Sequence, residues 1–393
     1  MSYKPQIKIP ATYMRGGTSK GVFFKFDDLP QNVKSDKALL DKLLLRVIGS
    51  PDPYKKHTDG MGGATSSTSK AVIISKSLQP NHDIDYYFAQ VSIDKPFIDW
   101  SGNCGNLSSA VGPFAIRCGF IPKDRVVENG TVCVRVYQAN IKKTILCHVP
   151  IKDGFIQEIG DYEIDGVAFP SAEIKLEFLD PVDENEELFP TGNLIDKLEV
   201  PGIGTFEATM ITAGIPIIFL KAKDLGYSGT ELQNDINSNE EALEIFEKIR
   251  AYGALKMGLI NDLNEAKTRA HTPKIAIVAP PKSYTASSGK EIKSEDIDLN
   301  VRALSMGQLH HAMMGTASVA IGVAASIEGT LVNQVCGGRK RESVVFGHPS
   351  GTMKVGAKIV YEDSKPKVKR AILSRSARII MEGNVFVPAD TML

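Results

Sequence analysis

Two runs of small, uncharged residues restrict most strongly how this chain can fold. The first covers residues 107–116, and the second leads from residues 312–318 to a helix end near Ile327. Surface helices carry charged residues along one face, so a helix that is small and apolar on every side is a buried one. About half a chain separates the two runs, and a predicted strand precedes each. We therefore predict an α/β protein of two related halves, each with a sheet around one central helix.

A cysteine stands directly before the first run, in the segment SGNCGN at residues 101–106. Asn103 or Asn106 is expected to cap the helix, because asparagine side chains accept hydrogen bonds from first-turn N–H groups. A thiol at this end of a helix is favoured as the thiolate, and the same N–H groups bind a carboxylate or a developing oxyanion. Cys104 is therefore a candidate catalytic residue. The alternative is a buried, inert cysteine before an ordinary helix.

A polar loop rich in glycine and serine, residues 59–69, leads through Lys70 into the predicted strand 71–75. Loops of this composition often carry function. A lysine that opens an apolar strand is commonly an edge residue whose charged end reaches solvent. If Lys70 faces a pocket instead, desolvation lowers the pKa of its amine and makes it a competent base.

A second glycine-rich turn, residues 15–21, joins the predicted strands 7–14 and 22–26. Its backbone N–H groups are able to cradle an anion between Arg15 and Lys20. The spacing does not match a nucleotide-binding P-loop, and a plain glycine-rich hairpin is the alternative.

Charge and cysteine content narrow the functional class. The 46 basic and 46 acidic residues balance, so nothing indicates a nucleic-acid or membrane surface. The five cysteines contain no CxxC pair, which argues for a reducing compartment and against a disulfide framework or a zinc site. No apolar run has the length of a signal peptide core or a transmembrane helix. We expect a soluble, cytoplasmic protein without a bound metal.

Local patterns predict several further elements. A helix over residues 35–49 is expected to begin at Ser35 or Asp36, and residues 131–149 read as a β-hairpin. Ser238 and Glu241 form a predicted capping box for a helix that reaches about residue 259. Strands are predicted at 274–279 and 299–305. The acidic, proline-containing segment 180–187 is the predicted boundary between the halves.

Five blocks in chain order resemble those of the PrpF family. They are MRGGTSKG at 14–21, GGATSSTSK at 62–70, SGNCGN at 101–106, HHAMMGT at 310–316 and FGHPSGT at 346–352. The resemblance covers essentially the whole chain. It implies a 2-methylaconitate isomerase of propionate breakdown through the methylcitrate cycle, with no cofactor.

The resemblance also implies a diaminopimelate-epimerase-like fold with two pseudo-symmetric domains and an active site in the cleft between them. We expect an N-terminal domain of residues 1–184 plus 377–393 and a C-terminal domain of residues 185–376. Amino-acid epimerases of this fold place one cysteine before each central helix. This chain departs from that pattern, because Met313, Met314 and Gly315 occupy the second position. A symmetric two-thiol racemase is therefore not expected, and the resemblance assigns Lys70 as the partner of Cys104.

These residue types suit the isomerisation of an aconitate. Removing a proton from the allylic carbon gives a delocalised carbanion whose charge spreads onto a carboxylate. Rotation and reprotonation, or reprotonation at the other end of the allyl system, then yields the isomer. A desolvated Lys70 suits the base, Cys104 suits the acid or second base, and backbone N–H groups after Cys104 suit the enolate oxygen.

A tricarboxylate substrate also needs polar contacts from the chain. The candidates are Arg15, Gly16, Gly17, Thr18, Ser19, Thr65, Ser66, Ser67, Thr68, Asn103, Gly105, Asn106, Lys274, Ser305, His310, Met314, Gly315 and Thr316. Lys274, Ser305 and His310 are equally suited to purely structural roles.

Other functional classes remain open at this point. One is a cysteine hydrolase that pairs Cys104 with a histidine base. Another is a non-catalytic accessory protein that binds a partner 2-methylcitrate dehydratase, and a third is another proton-transfer isomerase or racemase of the same fold. A homodimer and functional coupling to the dehydratase are further expectations for partners.

Overall fold

The computed structural model describes residues 6–180, 187–363 and 365–392. These residues form two compact units. Unit 1 comprises 6–162, 170–176 and 375–392, and unit 2 comprises 163–169, 177–180, 187–363 and 365–374. The predicted boundary at residue 184 lies outside the described residues, and the predicted division into domains stays a prediction.

The strands and helices are numbered along the chain. The strands are β1 Ile7–Gly16, β2 Ser19–Lys25, β3 Lys70–Lys76, β4 Ile84–Val91, β5 Ile98–Asp99, β6 Gly130–Gln138, β7 Lys143–Lys152, β8 Phe155–Ile156, β9 Ile174–Leu179, β10 Asp196–Val200, β11 Gly204–Thr212, β12 Pro216–Lys221, β13 Lys274–Ala279, β14 Tyr284–Thr285, β15 Glu291–Ile292, β16 Leu299–Ser305, β17 Gln308–Leu309, β18 Ser343–His348, β19 Gly351–Glu362, β20 Lys365–Arg375 and β21 Ala377–Val387. The helices are α1 Gln31–Ser35, α2 Lys37–Ile48, α3 Ser108–Arg117, α4 Gln233–Asn237, α5 Glu240–Lys256, α6 Gly315–Ser326 and α7 Leu331–Val335.

The sheet of unit 1 has the strand order β21–β1–β2–β3–β4–β6–β7. The pairs β2–β3 and β4–β6 are parallel, and the other neighbours are antiparallel. Helix α3 contacts β21 and β1 near one end of this order and β6 and β7 at the other. A sheet whose two ends contact the same helix is curled around that helix.

The sheet of unit 2 repeats this arrangement. Its order is β10–β11–β12–β13–β16–β18–β19, and β12–β13 and β16–β18 are its parallel pairs. Helix α6 contacts β11 and β12 as well as β18 and β19. Parallel and antiparallel pairs therefore alternate identically in the two units, which confirms the predicted pair of related halves. In this correspondence β3 matches β13, and β4 matches β16.

Both central helices are buried, as their small-residue composition predicts. Every residue of α6 and residues 108–115 of α3 are buried. Helices α2 and α5, which carry several charged residues, instead pack on the outer faces of the sheets, where their apolar sides join strand residues in two core clusters. No helix within the described ranges is long and apolar enough to cross a membrane.

Of the two predicted helix starts, the one at Asp36 is confirmed and the one at Ser238 is wrong. Asp36 caps α2 by accepting from the N–H groups of Ala38 and Leu39, as expected. The capping box at Ser238 is wrong, because Ser238 ends the short helix α4. The residue that caps α5 is Asn239, whose side chain accepts from the N–H of Ala242.

One glycine of α3 is required by close packing. A Cβ atom at Gly112 would lie 2.6 Å from Cys147 Sγ and 2.7 Å from Val149 Cγ2, both on β7. We expect Gly112→Ala to lower the free energy of unfolding by about 1 kcal/mol. Overpacking costs about 1–3 kcal/mol, and the better helix propensity of alanine offsets about 1 kcal/mol of that.

Urea unfolding checks this prediction, with Gly383→Ala on β21 as the matched control. No atom lies within 4 Å of the Cβ position at Gly383, so the control should keep the midpoint of the parent protein or raise it slightly. An unchanged midpoint for Gly112→Ala would contradict the tight contact between α3 and β7.

Candidate active site

Lys70 is the first residue of β3 and is only 5% exposed. Its Nζ donates to Oε1 of Gln90 at 2.5 Å and lies 5.0 Å from the ring centre of Phe88. Burial lowers the pKa of Lys70, and the nearby Cys104 acts in the opposite direction. The alternative of a lysine that reaches solvent from a sheet edge is therefore wrong. A buried amine with a lowered pKa suits a proton acceptor.

Cys104 is 7% exposed and lies in the turn that leads into α3. Its Sγ accepts from the backbone N–H of Leu107 at 3.5 Å and lies 3.9 Å from Ser19 Oγ. Its carbonyl accepts from the N–H of Ser108 at 2.9 Å. The sulfur thus occupies the position of a capping oxygen at the start of α3.

The predicted asparagine caps are wrong. Helix α3 begins after Leu107, which supplies no side-chain cap, and residues 105–107 form a turn instead. The side chain of Asn106 is used elsewhere. Its Nδ2 donates to Thr18 Oγ1 at 3.0 Å, and its Oδ1 accepts from Arg375 Nε at 2.8 Å. Asn103 is buried.

Arg375 is a buried arginine that was not predicted from the sequence as a site residue. Burial lowers the pKa of Arg375 to about 10, while Tyr162 and Cys104 act to raise it, so it stays charged at neutral pH. Gly17 lies directly against it, with a φ of +51°, and a Cβ there would be 2.9 Å from Arg375 Cδ. The turn between β1 and β2 therefore packs onto a buried cation. No spacing pattern links residue 375 to residues 17 and 106, so the sequence holds no simple signal for it.

Arg15 also holds the turn between β1 and β2. Its guanidinium donates to the carbonyl of Gly17, to the carbonyl and hydroxyl of Ser376, and to Ser171 Oγ, each at 3.1 Å. Burial lowers its pKa, as does Arg378, while Glu158 acts to raise it. Arg15 therefore joins this turn to Ser376, which lies between β20 and β21, and to Ser171.

The hydroxyls of Thr65, Ser67 and Thr68 form a compact cluster. Thr65 Oγ1 lies 2.9 Å from Ser67 Oγ and 2.8 Å from Thr68 Oγ1. The Ser67 carbonyl accepts from the N–H of Lys20 at 3.0 Å, which ties this loop to β2. His57 also supports the loop, since its Nδ1 accepts from the N–H of Ala64 at 3.2 Å.

The remaining candidates lie in unit 2. Lys274 opens β13, and its Nζ lies 2.8 Å from Ser305 Oγ and 3.1 Å from His271 Nδ1. The ring of His310 stacks on that of His311, and its Nδ1 accepts from the N–H of Ala312 at 3.0 Å. The structure thus brings Lys274 and Ser305 together, and it adds His271 to them.

The second central helix has no cysteine before it. Met314 stands at its N-cap, and Gly315 and Thr316 are its first two residues. Cys336, the cysteine of unit 2, follows α7, and burial raises its pKa to about 12. A symmetric pair of thiols before the two central helices is therefore excluded. Among the described residues, no group of three or more His, Cys, Asp or Glu side chains is placed to hold a metal ion.

Comparison with known proteins agrees with the motifs. The sequence pattern of the family described as PrpF protein matches residues 6–388. The chain belongs to the PrpF family. It is 65% identical over 390 residues to a 2-methyl-aconitate isomerase of Shewanella oneidensis, and the alignment covers 98% of each chain.

Solved structures extend the likeness of this PrpF family member to the fold. A methylitaconate-delta-isomerase crystal structure shares 38% identity with a TM-score of 0.75, covering 99% of this chain and 98% of that one. A probable proline racemase from Agrobacterium radiobacter K84 shares the fold at 11% identity, with a TM-score of 0.54 and coverage of 97% and 93%. The fold class is therefore the predicted diaminopimelate-epimerase-like one, and the chain is an isomerase.

Proposed function

We propose that this isomerase acts on 2-methylaconitate by removing and returning an allylic proton. The observation that carries the proposal is the buried pair of Lys70, whose pKa burial lowers, and Cys104, whose sulfur faces it. The 65% identical relative named 2-methyl-aconitate isomerase supports this choice of substrate. Lys70 rather than a histidine faces the thiol, which disfavours the cysteine hydrolase alternative.

In the proposed reaction, the uncharged amine of Lys70 takes a proton from the allylic carbon. The electron pair of the broken C–H bond spreads over the allyl system onto a carboxylate, and the former double bond becomes free to rotate. The Cys104 thiol then returns a proton to carbon. The ammonium of Lys70 transfers its proton to the thiolate of Cys104, which restores both groups. This proton balance closes without an external oxidant, metal or organic cofactor.

The carboxylates of the substrate need positively charged and N–H partners. We propose Arg375 as one of them, because a buried guanidinium recognises carboxylates through two parallel hydrogen bonds. Its contact with Asn106, and the contact of Asn106 with Thr18, support a common anion site at the turn between β1 and β2. The unit 2 group of Lys274, Ser305, His310 and residues 314–316 stays proposed as further substrate contacts.

Proton NMR in deuterated water tests the function. We expect purified protein to interconvert the cis and trans forms of 2-methylaconitate while deuterium enters the allylic position. Double-bond migration would instead produce a positional isomer of the same tricarboxylate with a new olefinic C–H signal; the 38% identical solved structure is named a delta-isomerase. Unchanged substrate spectra, together with faster turnover of an added 2-methylcitrate dehydratase, would favour the accessory-protein alternative.

We further propose a cytoplasmic location, a homodimer, a place in propionate breakdown and functional coupling to a 2-methylcitrate dehydratase. The location is supported by the cysteine content, an odd number of five without a CxxC pair, as is typical of proteins in a reducing compartment. Analytical ultracentrifugation tests the homodimer.

A further inference from the structure

Gln90 is a fully buried glutamine on β4 that stands directly opposite Lys70 in the antiparallel pair of β3 and β4. Its Oε1 accepts from Lys70 Nζ at 2.5 Å. Its Nε2 donates to two carbonyls of the loop before β3, those of Ser66 at 3.2 Å and Ser69 at 3.1 Å. One side chain therefore connects the amine to the loop that carries the hydroxyl cluster.

These contacts determine which end of the amide faces the lysine. A glutamine amide has two N–H donors and one oxygen acceptor. Both donors are directed at backbone carbonyls, so the oxygen is the atom left to face the amine. An amide oxygen accepts a hydrogen bond from an ammonium and from an uncharged amine alike, and it carries no net charge. A carboxylate at the same place would favour the ammonium and raise the pKa of Lys70.

Burial and Cys104 determine the shift in the pKa of Lys70, because the other groups described around its amine are uncharged. The ring of Phe88 on β4 faces the Lys70 amine, and Gly21 of β2 packs against the backbone of Lys70. Tyr86 lies on the same strand and donates to the Cys104 carbonyl at 3.5 Å. Burial raises the pKa of Tyr86 well above its ordinary value, so the phenol is uncharged at neutral pH.

The repeat in unit 2 shows that a lysine at this position does not need an amide. Lys274 opens β13 as Lys70 opens β3, and it meets Ser305 of β16 where Lys70 meets Gln90 of β4. There the partners are a hydroxyl and the imidazole of His271. Gln90, whose amide also holds the loop before β3, belongs to the unit that contains Cys104.

We propose that Gln90 is the positioning residue of the catalytic lysine: its amide oxygen directs the Lys70 amine without adding charge, and its N–H groups join that amine to the hydroxyl loop. This inference rests on the proposed role of Lys70 as the base.

Gln90→Glu tests the proposal, because the substitution changes charge with little change in size. We expect the rising limb of the profile of kcat/KM against pH to move at least one unit towards higher pH. The rate near pH 7 should fall about tenfold or more and recover at higher pH, since each unit of pKa changes the uncharged fraction about tenfold. Competitive acetylation of Lys70 across the same pH range, read by mass spectrometry without substrate, should show the same displacement.

Gln138→Glu is the matched control. Gln138 is equally buried in unit 1, on β6, where its amide contacts Asn140 and the N–H of Ile141. Gln138→Glu should reproduce any loss of stability that comes from burying a carboxylate in unit 1. It should leave the pH profile of kcat/KM and the acetylation of Lys70 unchanged. Gln90→Met, which adds no charge, should lower kcat about tenfold or more without moving the limb to higher pH.

The proposal is overturned if Gln90→Glu keeps the parent pH profile and the parent acetylation profile of Lys70. If that variant does not fold, a normal kcat for Gln90→Met overturns it instead. Failure of the proposed function has a different result. Lys70→Ala would then retain turnover, while acetylation in Gln90→Glu would still report whether residue 90 controls the amine.

Discussion

Lys70→Arg is expected to lose nearly all turnover although it keeps a long basic side chain. A guanidinium does not release its proton at usable pH, so it is unable to act as the base. Removing a positioned proton-transfer group costs about 100- to 10,000-fold in rate. Lys70→Ala should show a similar loss, and both variants should also stop the exchange of substrate protons with deuterated water. Proton NMR measures exchange and isomerisation in the same sample.

Lys143→Arg is the matched control for this experiment. Lys143 is also a buried lysine that opens a strand of unit 1, and it lies outside the candidate site. We expect it to keep the activity of the parent protein. Near-normal turnover of Lys70→Arg would reassign Lys70 as an anchor for a substrate carboxylate and would leave the Cys104 thiolate as the base.

Cys104→Ser should separate the two proton transfers. The serine hydroxyl is able to accept from the N–H of Leu107 as the sulfur does, but it is a far weaker acid than a thiol. We expect isomerisation to slow by about 100-fold or more, as for other lost proton-transfer groups. Exchange at the carbon served by Lys70 should fall much less. The ratio of deuterium incorporation to isomer formation, measured by NMR, is the deciding quantity.

Cys118→Ser provides the control for thiol loss. Burial raises the pKa of Cys118 to about 11, so this thiol is uncharged at neutral pH, and it follows the far end of α3. Its replacement should leave both rates unchanged. If Cys104→Ser loses exchange and isomerisation in equal proportion, the thiol takes part in the first proton transfer, and the proposed division between Lys70 and Cys104 is wrong.

The sequence predicted the repeated architecture because that information is local. The composition of residues 107–116 and of α6 was enough to predict two buried helices, and the apolar runs located β3, β13 and β16. Helix starts were less accurate. Ser238 and the two asparagines have the right chemistry for caps, but a preceding helix and a tight turn occupy the backbone at those points.

Gln90 and Arg375 could not be predicted in the same way. The contact of Gln90 with Lys70 depends on the register of β3 against β4, which no single residue reveals. Arg375 reaches Asn106 from a position 269 residues further along the chain. Such contacts depend on how strands pair and on where the chain returns to unit 1.

The sequence alone determined the family, the two repeats and the choice of Lys70 and Cys104 as candidate catalytic residues, because motifs and composition are properties of consecutive residues. The tertiary structure decided the properties of those side chains. It buried the Lys70 amine, which lowers its pKa, and it brought the Cys104 sulfur to both that amine and the N–H of Leu107. Desolvation and charge–charge interaction depend on distances in space, and only the folded chain defines them.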